Sequence, residues 1–120
     1  MCIRDSLNTA EQLGVLPIIY TGLSSGLRQC ELITLSWADF HVRYKYILRG
    51  QRLLILNDKT VLLLEQIPET ASSYVFLNPK TEAPYKLHEF YYLHKKILKR
   101  ARLPWVAFRD LQRQCMEVGI

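Results

Sequence analysis

Long apolar runs and paired cysteines are both missing from this 120-residue chain. No stretch approaches the eighteen apolar residues that a membrane-spanning helix needs, and no basic segment followed by an apolar one marks a secretory signal. Cys2, Cys30 and Cys115 are odd in number and widely spaced, without a CxxC pair. This spacing argues against a disulfide framework and a zinc site, and it predicts a reducing, cytoplasmic compartment. We interpret Cys30 and Cys115 as small core residues.

Clustered metal ligands are missing as well. His41 and His88 have no partners at metal-ligand spacing, so we expect no metal site. His94 belongs to an apolar helical stripe and is expected to be a hydrogen-bonded core residue. The stripe consists of Leu87, Phe90, Tyr91, His94, Ile97, Leu98 and Ala101.

The chain does have a basic excess, and it is confined to one end. Residues 86–120 hold eight lysines and arginines against three acidic residues, which accounts for the whole net charge of +5. Such a cluster suits contact with a phosphate backbone, but a solvated basic helix would look the same, and charge alone leaves both open. The DNA-binding candidates are Lys95, Lys96, Lys99, Arg100 and Arg102.

Spacing and turn signals predict one α+β domain, mainly helical, with a small antiparallel sheet. Residues 1–8 show no periodicity and are expected to be a non-native or disordered leader, which leaves 9–120 as the folded domain. We predict a helix from Asn8 or Thr9 that Pro17 interrupts, and a helix capped by Asp58 that ends near Gln66. The other predicted elements are strands over 41–48, 53–56 and 73–77, a hairpin turn over 49–52, and helices over 86–103 and 108–118.

An arginine follows the Ser24-Ser25-Gly26 turn, at the start of a predicted short helix. The positive end of a helix dipole disfavours a cation there, so another group should hold the guanidinium of Arg28. Glu31, three residues on, could pair with it on a solvated face. The alternatives are a buried carboxylate and an anionic ligand.

The same stretch carries a family resemblance. The sequence Gly-Leu-Arg-Gln-Cys-Glu-Leu over residues 26–32, followed by Leu35, Trp37 and Asp39, resembles the first arginine box of tyrosine recombinases, the phage-type integrases. The resemblance implies that Arg28 is the first of two arginines that hold the scissile DNA phosphate. A planar, permanently charged guanidinium suits this role because it can form two parallel bonds to phosphate oxygens.

Residues 106–113 resemble the family's second box, which carries His-x-Leu-Arg-His, but the chemical residues differ. Arg109 stands where the family has its histidine, Gln112 where it has the second arginine, and Arg113 where it has the following histidine. Gln112 is neutral and cannot replace a bidentate cation at a phosphate. Arg109 and Arg113 are the candidates to compensate.

Two further catalytic groups differ from the family. The family places a lysine in the hairpin, where it protonates the leaving 5′ oxygen; here the tip offers Arg49 and Arg52, and the nearest lysine is Lys45, within the first predicted strand. The family's nucleophilic tyrosine follows the second box, whereas all seven tyrosines here precede Phe108. We therefore expect a truncated, divergent catalytic domain that is inactive as this chain.

The resemblance also implies a function. Intact relatives break and rejoin double-stranded DNA through a phosphotyrosine, in site-specific recombination and integration by mobile elements. They assemble as multimers on DNA and need no metal or nucleotide cofactor. One alternative is a non-catalytic DNA-binding or interaction module that retains this fold. Another is a small helical nucleic-acid-binding domain unrelated to recombinases.

Overall fold

The structure of the chain, a computed structural model, describes residues 3–68 and 70–118. These residues form an α+β fold, mainly helical with a small antiparallel sheet, which confirms the predicted fold class. The helices are α1 (Ile3–Gln12), α2 (Leu16–Ser25), α3 (Gln29–Ile33), α4 (Asp58–Glu65), α5 (Leu87–Arg100) and α6 (Phe108–Val118). The strands are β1 (Phe40–His41), β2 (Tyr46–Arg49) and β3 (Arg52–Ile55).

The first two helices meet at the predicted proline break. Pro17 lies in the first turn of α2, where its fixed φ and missing N–H are tolerated. The helix start predicted at Asn8 or Thr9 is wrong, because α1 already begins at Ile3 and buries Ser6. Residues 3–8, which we expected to lie outside the fold, therefore form part of α1, while residues 1 and 2 lie outside the described residues.

Two local predictions around α4 and α5 need correction. The cap of α4 is Asn57 rather than Asp58, since the Asn57 side-chain oxygen accepts a bond from the Thr60 N–H at 2.8 Å. The basic helix ends at Arg100, earlier than predicted, and Arg102 adopts a left-handed conformation with φ of 59°. The bounds of α6 are as predicted.

The sheet differs from the prediction in its first and third strands. The strand expected over 41–48 is divided by a 3₁₀ turn (Val42–Tyr44), after which Lys45 is left-handed. The order is β1-β2-β3, all antiparallel, and Arg49 pairs with Arg52 across a two-residue tip. The strand predicted over 73–77 is wrong: within the described residues, Tyr74 makes only an isolated bridge with Ser36.

The core is built around α2, which packs against α1, α4 and α6, while α5 packs against α1 and α3. Gly22 allows this close approach: a Cβ there would lie 2.7 Å from Leu32 and 2.8 Å from the Phe108 ring. Of the two cysteines interpreted as core residues, Cys115 is buried as expected, and its burial raises the pKa of its thiol to about 11. Cys30 is exposed, so that interpretation was wrong.

Candidate nucleic-acid interface

The loop between α2 and α3 presents Arg28. Gly26 ends α2 in a left-handed conformation with φ of 76°, which glycine adopts without strain. The Ser25 hydroxyl then accepts a bond from the Leu27 N–H at 3.2 Å and donates to the Thr21 carbonyl. Arg28 follows as the N-cap residue of α3, in an extended conformation. Local hydrogen bonds thus fix the backbone that carries Arg28.

The Arg28 guanidinium itself is exposed, and it has no ion-pair partner within residues 3–68 and 70–118. Glu31 is engaged elsewhere: its carboxylate accepts the Arg28 backbone N–H at 3.0 Å and pairs with the Arg52 guanidinium. The alternative in which the Arg28 and Glu31 side chains pair is therefore wrong, and no buried carboxylate pairs with Arg28 in the described part of the chain. An anionic ligand for Arg28 stays a prediction.

The arginines at the hairpin tip anchor the sheet to α3. The side chain of Glu31 is only 15% exposed, and Arg52 reaches it from β3. Arg49 donates to the carbonyl and the hydroxyl of Thr34, both at 2.8 Å, and lies 3.5 Å from the Asp39 carboxylate. Both arginines therefore hold structure together and are not free cations at the tip.

Lys45 lies just before β2 and faces the start of α4. Its Nζ is 2.7 Å from the Asp58 carboxylate, and both side chains are more than half exposed. The hydrogen bond and the charge of Asp58 raise the pKa of Lys45 above its ordinary value, while Lys45 lowers the pKa of Asp58. Lys45 thus holds its proton more tightly, and this does not favour proton release near neutral pH.

Gln112 is buried beside the loop that carries Arg28. Its amide Nε2 donates to the carbonyls of Gly22 and Leu27, both at 2.7 Å. These bonds tie α6 to the last turns of α2 and to the residue before Arg28. The structure thus brings the two sequence boxes together. Gln112 links them through two hydrogen bonds and contributes no charge.

The other second-box candidates face solvent. Arg109 and Arg113 are both exposed on α6, and neither has an ion-pair partner among the described residues. They are available cations, in contrast to Arg49 and Arg52.

The basic residues of α5 and of the turn after it are open to solvent. Lys95, Lys96, Lys99, Arg100 and Arg102 are all exposed. His94 lies on the opposite side, 3% exposed, and its Nε2 is 2.8 Å from the Val106 carbonyl oxygen, which confirms the expected hydrogen-bonded core histidine. Burial lowers the pKa of His94, and the bond to Val106 partly opposes that shift.

The structure also shows exposed rings that the sequence pattern missed. Tyr91, which we assigned to the buried stripe, is 45% exposed, and the Trp105 ring lies 5.4 Å from it. Leu87 is likewise more than half exposed. The sequence signal for Tyr91 and Tyr92 was their position about one turn before Lys95 and Lys96 on α5.

Within residues 3–68 and 70–118, no three His, Cys, Asp or Glu side chains converge as a metal site would require. No helix in these ranges has the length and apolar character to cross a membrane.

The comparisons with known proteins bear on the fold. No protein-family profile matches the chain, and no curated protein matches it. Among solved structures, the crystal structure of XerA recombinase superposes with a TM-score of 0.77 at 17% sequence identity. The superposition covers 92% of this chain and 43% of that recombinase, so the chain spans less than half of its length. The chain therefore has a tyrosine recombinase-like fold, as the sequence resemblance implied.

Proposed function

We propose that this chain binds the phosphate backbone of double-stranded DNA. The observation that carries the proposal is the state of Arg28, whose guanidinium is exposed and unpaired among the described residues although Glu31 lies one turn away. Because Arg52 neutralises Glu31, the charge of Arg28 remains open to an external anion. A guanidinium can bind a phosphate through two parallel hydrogen bonds.

The exposed cations of α5 extend this contact. None of Lys95, Lys96 and Lys99 has an ion-pair partner within the described ranges, and the chain carries a net charge of +5. Contacts of this kind read the phosphate backbone and carry no base information. We therefore expect weak, salt-sensitive binding with little sequence preference.

A binding module is favoured over a strand-cleaving enzyme by Gln112. Its amide is neutral and already bonded to two carbonyls, so at this position no cation is available to stabilise charge on a phosphate. Catalytic roles for Lys45, Arg109 and Arg113 are part of the alternative, in which these cations reach the phosphate. In that alternative, the chain takes part in recombination and integration and assembles into multimers on DNA. We propose a cytoplasmic location in either case.

The experiment compares the wild type with Arg28→Ala by fluorescence anisotropy on a labelled duplex at about 50 and 200 mM salt. Loss of a charge-assisted contact should weaken binding by about 10-fold at low salt and reduce the slope of log affinity against log salt by about 0.9. Because the Arg28 side chain makes no ion pair, the free energy of unfolding of Arg28→Ala should differ from that of the wild type by no more than about 0.5 kcal/mol.

Arg4→Ala is the matched control, since Arg4 is an exposed arginine on α1 without an ion-pair partner among the described residues. It removes the same unit charge from a helix that the proposal does not use, and we expect at most a small effect on binding. If both variants lost the same amount of affinity, Arg28 would contribute only through its net charge and not through a specific phosphate contact. A wild-type affinity that does not change with salt would contradict backbone binding altogether.

A further inference from the structure

Three large aromatic side chains stand open to solvent beside the basic face of α5. Tyr91, Tyr92 and Trp105, here termed the aromatic patch, are 45%, 61% and 53% exposed. Their rings are neighbours: the Tyr91 centroid lies 5.4 Å from that of Tyr92 and 5.4 Å from that of Trp105. Contiguous exposed apolar surface on a small domain marks an interaction site more often than isolated apolar residues do.

The loop that carries Trp105 is held in place. Its ring packs 5.5 Å from the buried ring of His94, which bonds to the carbonyl of the next residue, Val106, at 2.8 Å. The His94 ring in turn meets Phe108 edge-on at 5.2 Å. Trp105 is thus exposed on a fixed support, so a ligand that stacks on it orders little new structure.

Lysines flank the aromatic patch at helical spacing. Lys95 lies four residues after Tyr91 and three after Tyr92, so it occupies the same surface of α5 as both rings. Lys96 follows Tyr92 by four residues, and Lys99 continues the row one turn on. Across residues 3–68 and 70–118, none of these ammonium groups has a carboxylate within ion-pair distance.

We propose that the aromatic patch and the lysine row bind single-stranded DNA. Unpaired bases stack on the rings, and the phosphates that link them contact Lys95, Lys96 and Lys99. Duplex DNA hides its base faces within the helical stack, so it can use the lysines but not the rings. Aromatic side chains interleaved with cations are the features that bind single strands without sequence preference.

This inference deepens the proposed function through the shared lysines, but the rings give it a separate test. In Trp37→Phe, Trp105 is the only tryptophan, and base stacking on it should quench its fluorescence when a 20-nucleotide oligothymidine is added. Trp37 contacts the Phe40 ring, so a phenylalanine keeps that packing. The same duplex used for Arg28 should leave the fluorescence unchanged.

Binding of both DNA forms is then measured for Trp105→Ala and Tyr92→Ala. Each lost stacking contact should weaken single-strand binding by about 5- to 150-fold and leave duplex binding within twofold. Tyr44→Ala is the control, because Tyr44 is 69% exposed and lies beside a cation, Arg43, near the sheet. Trp105→Phe should retain most of the single-strand binding. Thermal melting identifies any variant that is unfolded. If Trp105→Ala is unfolded, the comparison is made with Tyr92→Ala.

The outcomes separate this inference from the proposed function. Suppose that duplex binding depends on Arg28 and that the ring variants bind oligothymidine as the wild type does. This result would overturn the inference and support the proposed function. Ring-dependent oligothymidine binding without duplex binding would support the inference and refute backbone binding of duplex DNA. Equal losses for single strand and duplex, or equal binding of poly-glutamate, would overturn stacking. No binding to any DNA would refute both.

Discussion

Gln112 offers the sharpest test of how the fold is held together. It is 7% exposed, and its amide donates to two carbonyls that lie 90 and 85 residues earlier in the chain. Gln112→Ala removes both bonds and leaves the carbonyls of Gly22 and Leu27 without that donor. A buried carbonyl that loses its partner costs about 1–3 kcal/mol. We therefore expect a loss of about 2–5 kcal/mol in the free energy of unfolding.

Urea denaturation followed by far-UV circular dichroism measures this loss. For a domain of this size, each kcal/mol also lowers Tm by about 4 °C. Gln114→Ala is the control, because Gln114 is half-buried on the same helix and its side chain makes no hydrogen bond to another described residue. A loss for Gln112→Ala below about 0.5 kcal/mol, the usual range for surface positions, would refute the cross-link.

Gln112→Glu separates the lost donors from lost packing. The introduced carboxyl has nearly the same shape, but when ionised it places negative charge against two carbonyl oxygens, so at pH 7 the loss should exceed that of Gln112→Ala. Burial without a cation raises the pKa of this carboxyl in the folded state. The variant should therefore regain stability relative to the wild type as the pH falls from 7 towards the unfolded value of about 4.3.

Two further predictions concern acid stability and chemistry. Burial lowers the pKa of His94 in the folded state. As the pH falls, the imidazole is therefore protonated in the unfolded chain before it is protonated in the folded one. The free energy of unfolding should decrease below about pH 6.5, by at most about 1.4 kcal/mol per pH unit. Urea titrations at pH 7.5 and 5.5 check this, and His94→Gln should remove the extra acid sensitivity; a wild type that unfolds identically at both pH values would contradict it. For chemistry, we expect no protein–DNA adduct when the chain is incubated with a nicked suicide substrate and resolved under denaturing conditions, because Gln112 supplies no second cation. An adduct mapped by mass spectrometry to any tyrosine would overturn that expectation.

Periodicity predicted the parts of the fold in which local signals agree. The buried part of the stripe on α5 (Phe90, His94, Ile97 and Leu98), the bounds of α6 and the break at Pro17 each depend on residues within a few turns of one another. The start of α1 was missed because its first residues include the polar run Arg4-Asp5-Ser6, and α1 is covered by α2 and α5, which lie later in the chain. Local pattern cannot show which partner will cover a helix face.

The sequence indicated which residues to propose for the site, but it did not indicate which groups those residues contact. Spacing correctly placed Glu31 one turn from Arg28, but Arg52, 21 residues later, competes for that carboxylate once the hairpin folds back on α3. The exposure of Tyr91 was missed for a related reason, since the loop after α5 places Trp105 beside its ring without burying it. The position of a residue along a helix determines the face on which its side chain lies, but the tertiary structure determines which groups that side chain contacts.

The resemblance predicts that Gln112 stands where tyrosine recombinases have their second arginine, and the bonds of Gln112 give that prediction a physical account. A guanidinium carries five N–H donors, enough to bond both carbonyls that Gln112 bonds and still direct a charged edge outwards. The glutamine amide has two N–H groups, and its nitrogen already serves the carbonyls of Gly22 and Leu27. If the predicted correspondence holds, a glutamine keeps a link between α6 and the loop of Arg28 and removes the charge. On that prediction, the link that Gln112→Ala would test can stabilise the fold without the chemistry that a second cation would support.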